Sequence, residues 1–224
     1  MKIGIIIAIE RELKSFLESG AAITEEHLNN RVIYHTEMYG HEIAAMRSGY
    51  GEIDAAAATQ LLITHCGIDI VINFGVAGAL VPGLMVDDLF LVEKVCHYDY
   101  DVSPIDPVKK HQYEEYPDEF IRLDEGLREM VLEKMPSIRT VTVASGDRFV
   151  EETEDKHNLA ALGCQICDME IAAISRISLQ SGIRCLSIKC ISDTFEGDGG
   201  DFNTNVIRSA EKAFATLREI LQVL

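Results

Sequence analysis

Three acidic side chains, Asp168, Glu170 and Asp193, follow or end short apolar runs in the last third of the chain. Such runs predict buried parallel strands, and in open α/β sheets ligands bind at the carboxyl ends of the strands. A carboxylate is costly to bury there unless it has a partner or takes part in catalysis. We therefore predict that these three acids face one crevice and form the floor of an active site.

The elements that position these acids are a strand, a helix and a second strand. Residues 163–168 and 184–191 are rich in Ile, Leu and Cys, and each run is bounded by a glycine. Residues 170–180 between them carry apolar side chains at helical spacing, with Gly182 just beyond as a stop signal.

Glu12 lies at a comparable junction near the start of the chain. Residues 3–9 form an apolar run typical of a central strand, and residues 10–18 show the spacing of an amphipathic helix. From the residues alone, Glu12 either complements the helix dipole or adds an acid to the carboxyl end of the sheet. The lone Gly4 lacks the glycine spacing of a dinucleotide site.

The middle of the chain continues the alternation of strands and helices. Residues 31–47 predict a hairpin, 48–67 a glycine loop leading into an Ala-rich helix, and 69–74 a buried strand. Residues 75–79, GVAGA, predict a tight turn that either lets backbone amides approach a ligand or serves the fold alone. Further predicted elements are strands at 88–95 and 140–144 and helices at 123–135 and 206–224, the last after a flexible connection at 196–205.

Residues 97–117 form a polar, Tyr-rich stretch with three prolines and no periodic pattern. An irregular segment of this length favours a lid or a subunit contact, with a solvated surface loop as the alternative.

Composition limits the classes of function. The 224 residues, 47% of them hydrophobic, suffice for the core of one domain spanning 1–224. The formal net charge of −17 disfavours nucleic acid and anionic membrane surfaces, so a neutral or zwitterionic small molecule is the expected partner. With no long uncharged apolar stretch and no signal-like leader, we expect a soluble, cytoplasmic protein.

Cys164 and Cys167 form a CxxC pair, which occurs in redox and zinc sites. Both fall within the strand predicted at 163–168, where alternation sends the two side chains to opposite faces, and no second CxxC completes a zinc set. We interpret both as reduced core cysteines.

Six motifs in order carry a family resemblance: MKIGIIIAIERE, RSGYGEIDAAAA, DIVINFGVAGAL, VASGDRFV, DMEIAAIS and IKCISD. They are distributed along nearly the whole chain, which resembles the nucleoside phosphorylase/nucleosidase superfamily and most closely its bacterial 5′-methylthioadenosine/S-adenosylhomocysteine nucleosidases. The resemblance implies an α/β fold with a mixed, barrel-like central sheet flanked by helices. It also implies a homodimer that needs no metal or organic cofactor.

The resemblance assigns roles to the acids. Glu12 matches the acid that activates the attacking water, and Asp193 matches the acid that protonates the purine. Glu170, with Met169 before it, matches the ribose-binding pair. These roles suit N-glycosidic cleavage, in which a purine departs poorly as an anion and the ribosyl group develops positive charge.

Other positions match the substrate pocket. Phe149 and Val150 match the segment that stacks on the purine and reads its edge. Val102 and Ile105 match the part of the partner subunit that lines the 5′-thioalkyl pocket, and Phe202 is a candidate closing residue.

Two residues depart from the family pattern in the water- and ribose-binding region. Val76, in the turn with Ala77 and Gly78, replaces a common serine, and Lys189 replaces a common arginine. Val76 cannot donate a hydrogen bond from its side chain, and Lys189 offers a point charge where arginine offers a planar fork. These departures affect how the water is held and which substrate is preferred.

The leading hypothesis is hydrolysis of methylthioadenosine, S-adenosylhomocysteine or a close 5′-substituted adenosine to adenine and the thioribose. A nucleosidase for another purine nucleoside, of the futalosine type or inosine, is the nearest variant. A phosphate-dependent phosphorylase is the first rival, with Arg47 and Lys189 as its candidate anion-binding residues. The second rival is a nucleoside-binding protein without catalysis.

Overall fold

The computed structural model describes residues 1–224 as ten β-strands and six α-helices. The strands are β1 (Lys2–Ile7), β2 (Thr24–Leu28), β3 (Arg31–Met38), β4 (His41–Arg47), β5 (Ile70–Ala79), β6 (Leu89–His97), β7 (Ile121–Arg122), β8 (Arg139–Ser145), β9 (Ile166–Asp168) and β10 (Arg184–Asp193). The helices are α1 (Glu10–Leu17), α2 (Glu52–Leu61), α3 (Glu125–Lys134), α4 (Thr153–Ala161), α5 (Ile171–Gln180) and α6 (Gly199–Leu221). A π-helical turn, Leu62–Cys66, extends α2.

All ten strands belong to one mixed sheet, part of which closes on itself. The strand order β10-β6-β8-β9-β5 returns to β10, because β10 pairs in parallel with β5 as well as antiparallel with β6. Strands β1, β4, β3 and β2 extend the sheet outward from β5. The predicted α/β fold with a mixed, barrel-like sheet is therefore confirmed.

Strand β5 changes its partner along one edge. Its first four residues, 70–73, pair with β1, whereas Gly78 and Ala79 pair with β9 on the same edge. The opposite edge pairs with β10 from Ile70 to Gly78. Residues 74–77 therefore have no strand partner on the first edge, where β1 and β9 diverge and open a crevice.

Helices cover both faces of the sheet because the apolar side chains of the central strands alternate. Ile3, Ile5 and Ile7 of β1 belong to one buried cluster of 22 residues that also contains side chains of α1 and α6. Ile6 belongs to a second cluster of 25 residues, which includes side chains of α2 and α5. Burial on both faces explains why these strands are nearly continuous apolar runs.

Three local predictions are wrong. Residues 75–79 continue β5 instead of forming a turn, because β10 pairs with residues 75–78 and β9 pairs with Gly78 and Ala79. Helix α6 begins at Gly199, not at 206, because the Asp198 side chain accepts hydrogen bonds from the Gly200 and Asp201 amides at 2.7 and 3.2 Å. This N-cap outweighs the low helix propensity of the glycines.

The third wrong prediction is that strand alternation separates Cys164 from Cys167. Cys164 precedes β9, so strand alternation does not separate it from Cys167, and both belong to one small apolar cluster. All six cysteines are free, and these two are buried. The interpretation as core cysteines is confirmed.

Three elements were not predicted from the sequence, one of them the two-residue strand β7, which pairs with β6. Strand β2 has the sequence TEEHL and pairs only with β3, so its charged side chains suit an edge strand. Helix α4 follows the VASGDRFV motif and lacks a continuous apolar stripe. No helix in the structure combines the length and apolar character needed to cross a membrane.

Candidate active site

A cavity of about 440 Å³ occupies the crevice at the carboxyl ends of β1, β5, β9 and β10. Its lining comprises Ala8, Ile9, Glu12, Tyr50, Val76, Ala77, Gly78, Arg148, Phe149, Val150, Cys167, Asp168, Met169, Glu170, Ser192, Asp193, Gly199, Phe202 and Asn203. This is the position at which open α/β sheets bind their ligands.

Glu12 lies in the first turn of α1, and its carboxylate contacts two backbone amides. Oε2 accepts a hydrogen bond from the Ile9 amide at 3.1 Å, and Oε1 accepts one from the Val76 amide at 2.9 Å. No neighbouring strand uses the Val76 amide, because it lies on the unpaired edge of β5. Glu12 therefore acts as a helix-start acid and also points into the cavity, so both readings of this residue hold.

Gly75 permits this approach, since a Cβ at that position would lie 2.5 Å from Glu12 Oε1. Burial raises the pKa of Glu12, while the Lys189 ammonium and nearby backbone amides oppose that rise.

Asp193 ends β10 and lies beside Gly78 of β5. Its Oδ1 accepts a hydrogen bond from the Ser192 hydroxyl at 2.8 Å, and a Cβ on Gly78 would lie 2.7 Å from Oδ2. Burial raises the pKa of Asp193, and the Ser192 hydrogen bond and the Lys156 charge oppose the rise. An aspartic acid in this environment holds a proton more readily than it would in water.

Asp168 and Lys189 form a buried ion pair under the cavity floor. Lys189 Nζ lies 2.7 Å from Asp168 Oδ2, and each side chain is 2% exposed. Burial alone would lower the pKa of Lys189, but Asp168 and Glu170 outweigh it, so the net shift is upward. Lys189 therefore stays protonated, and the negative charge of the Asp168 carboxylate largely balances its positive charge.

Glu170 immediately precedes α5, and its Oε1 accepts a hydrogen bond from the Gly51 amide at 3.0 Å. Gly51 has a φ of 91°, in the left-handed region, so its amide reaches the carboxylate from a backbone conformation that favours glycine. Burial and the neighbouring Asp168 raise the pKa of Glu170, while Lys189 lowers it.

Two phenylalanines stand at the mouth of the cavity. Phe149 follows β8 and meets Phe202, in the first turn of α6, edge to face at 5.6 Å between ring centroids. The guanidinium of Arg11 lies 4.9 Å from the Phe202 ring centroid and donates a hydrogen bond to Asn203 Oδ1 at 2.8 Å. These contacts join α1 to α6 across the opening.

Eleven of the fourteen residues that the sequence analysis places in the nucleosidase site line this cavity: Glu12, Val76, Ala77, Gly78, Phe149, Val150, Asp168, Met169, Glu170, Asp193 and Phe202. Lys189 lies just outside the lining, where it pairs with Asp168. Val102 and Ile105 lie in the 97–117 segment away from this cavity, and Ile105 is 82% exposed. Their contribution to a partner's pocket stays a prediction.

Sequence reasoning missed four lining residues that matter for the geometry. Ser192 adjoins Asp193, and its hydroxyl next to an acid at a strand end was a usable signal. Tyr50 lies in the glycine loop before α2, and Asn203 and Gly199 were missed because the start of α6 was placed too late.

Comparison with known proteins agrees with this geometry. The sequence profile of the phosphorylase superfamily matches residues 2–222. The 5′-methylthioadenosine/S-adenosylhomocysteine nucleosidase of Desulfotalea psychrophila is 33% identical over 199 residues, covering 86% of this chain and 84% of that protein.

Two solved structures have nearly the same fold. The Helicobacter pylori 5′-methylthioadenosine/S-adenosylhomocysteine nucleosidase aligns with a TM-score of 0.93 and 26% identity over 100% of this chain and 99% of the other. The futalosine hydrolase of Helicobacter pylori aligns with a TM-score of 0.92 and 27% identity over 100% of this chain and 98% of the other. The chain belongs to the phosphorylase superfamily and, within it, to the family of the 5′-methylthioadenosine/S-adenosylhomocysteine nucleosidases.

Proposed function

We propose that this protein hydrolyses the N-glycosidic bond of 5′-methylthioadenosine or S-adenosylhomocysteine, releasing adenine and the 5-thio-substituted ribose. The observation that carries the proposal is the arrangement of three buried acids, Glu12, Glu170 and Asp193, around one cavity. Membership of the nucleosidase family supports the same reaction.

Glu12 and Asp193 lie beside different residues of β5, as a displacement from opposite sides of a sugar requires. Glu12 lies beside Gly75 and Asp193 beside Gly78 of the same strand. Gly75 and Gly78 are three residues apart, about 10 Å along a β-strand, so the two carboxylates enter the cavity at separate points. Inverting glycosidases likewise separate their acid and base, which leaves room for the water.

Asp193 is the general acid in this mechanism. Its raised pKa favours the protonated form, which donates to the purine as the glycosidic bond breaks. The leaving purine then departs neutral instead of as an anion.

Glu12 is the general base that takes a proton from the attacking water. The amides of Ile9 and Val76 orient its carboxylate, and Lys189 favours the ionised form that a base requires. The carboxylate is held by the backbone of residue 76, so a valine side chain there leaves this contact intact.

Glu170 and Met169 bind the ribose in this proposal, and Phe149 stacks on the base next to Val150. A carboxylate beside the ribose also favours the positive charge that develops on the sugar in the transition state. Phe202 closes the mouth over the 5′ group.

Phosphorolysis fits the charges less well. A phosphate needs free cations and donors, whereas the Val76 amide is already bonded to Glu12 and the Lys189 ammonium to Asp168. Arg47, the other candidate, pairs with Glu10 at 3.3 Å and does not line the cavity.

Cleavage of a futalosine-type nucleoside is the second candidate, because a futalosine hydrolase aligns over the whole chain. The two reactions share the acid–base chemistry and differ in the purine and the 5′ substituent.

The protein also acts, in this proposal, as a cytoplasmic homodimer in which Val102 and Ile105 complete the partner's 5′ pocket. Exposed apolar side chains support an interface: Ile53 and Ile105 are each 82% exposed and Tyr50 is 61% exposed. The free buried thiols suit a reducing compartment.

Adenine release from methylthioadenosine in phosphate-free buffer tests the reaction, with S-adenosylhomocysteine and a futalosine-type nucleoside as parallel substrates. We expect release that is unchanged when phosphate is added. Release that requires phosphate would make the protein a phosphorylase, and release of base only from the futalosine-type compound would reassign the substrate.

A further inference from the structure

Lys156 is a buried lysine without an acidic partner. Its side chain lies in α4, the residue is 1% exposed, and its ammonium forms no ion pair. A buried charge is costly unless its hydrogen-bonding capacity is met. An ammonium has three donors, and all three are used here.

The three acceptors are backbone carbonyls of one short segment. Lys156 Nζ donates to the carbonyl oxygens of Thr194, Phe195 and Gly197 at 3.3, 2.9 and 2.8 Å. The segment 194–198 is the whole connection between the end of β10 and the start of α6. It has no strand or helix of its own, so Lys156 provides much of its hydrogen bonding.

Both ends of this connection carry residues of the candidate active site. Asp193 lies immediately before it, and Gly199, Phe202 and Asn203 lie immediately after it. Lys156 itself does not line the cavity, so it acts on the site through the connection and through the effect of its charge on the pKa of Asp193.

We propose that Lys156 is a positioning residue: by holding the carbonyls of residues 194, 195 and 197, it fixes both the orientation of Asp193 and the placement of the first turn of α6 over the cavity. This inference rests on the proposed function, because it assigns Lys156 to the same reaction. A small displacement of a catalytic group lowers the reaction rate. A binding-competent conformation that is populated only part of the time lowers the apparent affinity for the substrate.

The test compares Lys156→Met, Lys156→Arg and the control Lys134→Met in the full-length protein. Methionine keeps the length and apolar stem of the lysine and removes the ammonium, whereas arginine retains charge and donors. Lys134 is an exposed lysine at the end of α3. Each variant is measured for kcat and KM with methylthioadenosine and for amide hydrogen exchange in residues 194–203.

For Lys156→Met we expect exchange in residues 194–203 to accelerate about tenfold or more, with exchange in β1, β5 and α2 unchanged. We expect kcat to fall about tenfold and KM to rise about tenfold, because both the acid and the cavity mouth lose their fixed position. Lys156→Arg should restore both constants to within about fivefold, and Lys134→Met should match the wild type.

Two results would overturn the proposal. One is a Lys156→Met variant whose kcat and KM stay within about twofold of the wild type. The other is faster exchange throughout the sheet, with activity lost only in proportion to the unfolded fraction, which would give Lys156 a purely structural role. If the wild type itself releases no adenine, the proposed function fails, and the exchange measurement still reports separately whether Lys156 holds the connection.

Discussion

At the scale of single residues, the cavity combines acids whose environments differ. Glu12 accepts hydrogen bonds from two backbone amides and is influenced by the Lys189 charge, whereas Asp193 accepts from the Ser192 hydroxyl and is influenced by the Lys156 charge. Burial raises the pKa of both, and in each case the neighbouring donors and cation oppose that rise.

Asp193→Asn tests the acid directly. Asparagine keeps the shape and accepts from Ser192 but has no acidic proton to donate, so we expect kcat to fall by a factor of about 10² to 10⁴ with nucleoside binding retained. Adenine release and calorimetric binding of methylthioadenosine measure the two effects. Asp54→Asn, which weakens only an exposed pair with Arg31 at 2.9 Å, is the matched control.

Undiminished turnover in Asp193→Asn would remove this residue from the mechanism. Loss of binding together with turnover would make its role structural.

At the scale of secondary-structure elements, α2 and α5 meet through a buried glutamate. Glu52 Oε1 accepts a hydrogen bond from the Ser145 hydroxyl at 2.6 Å, and Oε2 accepts one from the Ala173 amide at 2.5 Å. Glu52 thus lies in the first turn of α2 and satisfies an amide in the first turn of α5, the helix that Glu170 precedes. Burial and then Asp168 raise the pKa of Glu52 well above its usual range.

This raised pKa predicts a pH dependence of stability. The folded protein keeps a proton on Glu52 that the unfolded chain releases above a pH of about 4.3. The stabilising contribution is therefore fully present below that pH and is lost as the pH rises toward the folded pKa. We expect Glu52→Gln to reduce the decline in the free energy of unfolding between pH 5 and 8, as measured by urea denaturation.

Glu133→Gln, an exposed change on α3, should leave that decline as in the wild type. Parallel stability curves for Glu52→Gln and the wild type would contradict the prediction. Part of the decline should persist in Glu52→Gln, because the pKa values of Glu12, Glu170 and Asp193 are also raised.

The elements also show which parts of the fold and of the candidate site can be predicted from the sequence. Asp168, Glu170 and Asp193 were placed in one crevice because strand ends can be read from apolar runs that stop at an acid. The start of α6 was missed because Gly199 and Gly200 have low helix propensity. The helix nevertheless begins there because the Asp198 side chain accepts a hydrogen bond from the Gly200 amide. The extension of β5 through residues 75–79 was missed because β10 stabilises it from more than 100 residues away in the chain.

At the scale of the whole molecule, the 97–117 segment is ordered by aromatic contacts although it contains no helix or strand beyond His97, the last residue of β6. The rings of Tyr100 and Tyr113 stack with centroids 3.9 Å apart, and the Arg176 guanidinium lies 3.7 Å from the Tyr113 ring centroid. Ile105 lies within this segment and is exposed to solvent, as a subunit contact would require.

Ile105→Asp tests the proposed dimer. A charge buried at an interface without a partner is costly, so we expect the variant to sediment as a monomer and to lose most of its activity toward methylthioadenosine. Met85→Asp, at a side chain that is 63% exposed outside this segment, should remain dimeric. A wild type that sediments as a monomer, or an Ile105→Asp variant that stays dimeric, would contradict the proposed interface.

The change of partner along β5 leaves part of one strand edge available to the catalytic site. Residues 74–77 have no ladder to maintain on one edge, so the Val76 amide is available to a side chain without loss of sheet hydrogen bonding. The Glu12 carboxylate occupies that gap, so it accepts from the Val76 amide without competing with strand pairing. At this gap the residues that serve the reaction are therefore separable from the residues that hold the sheet together.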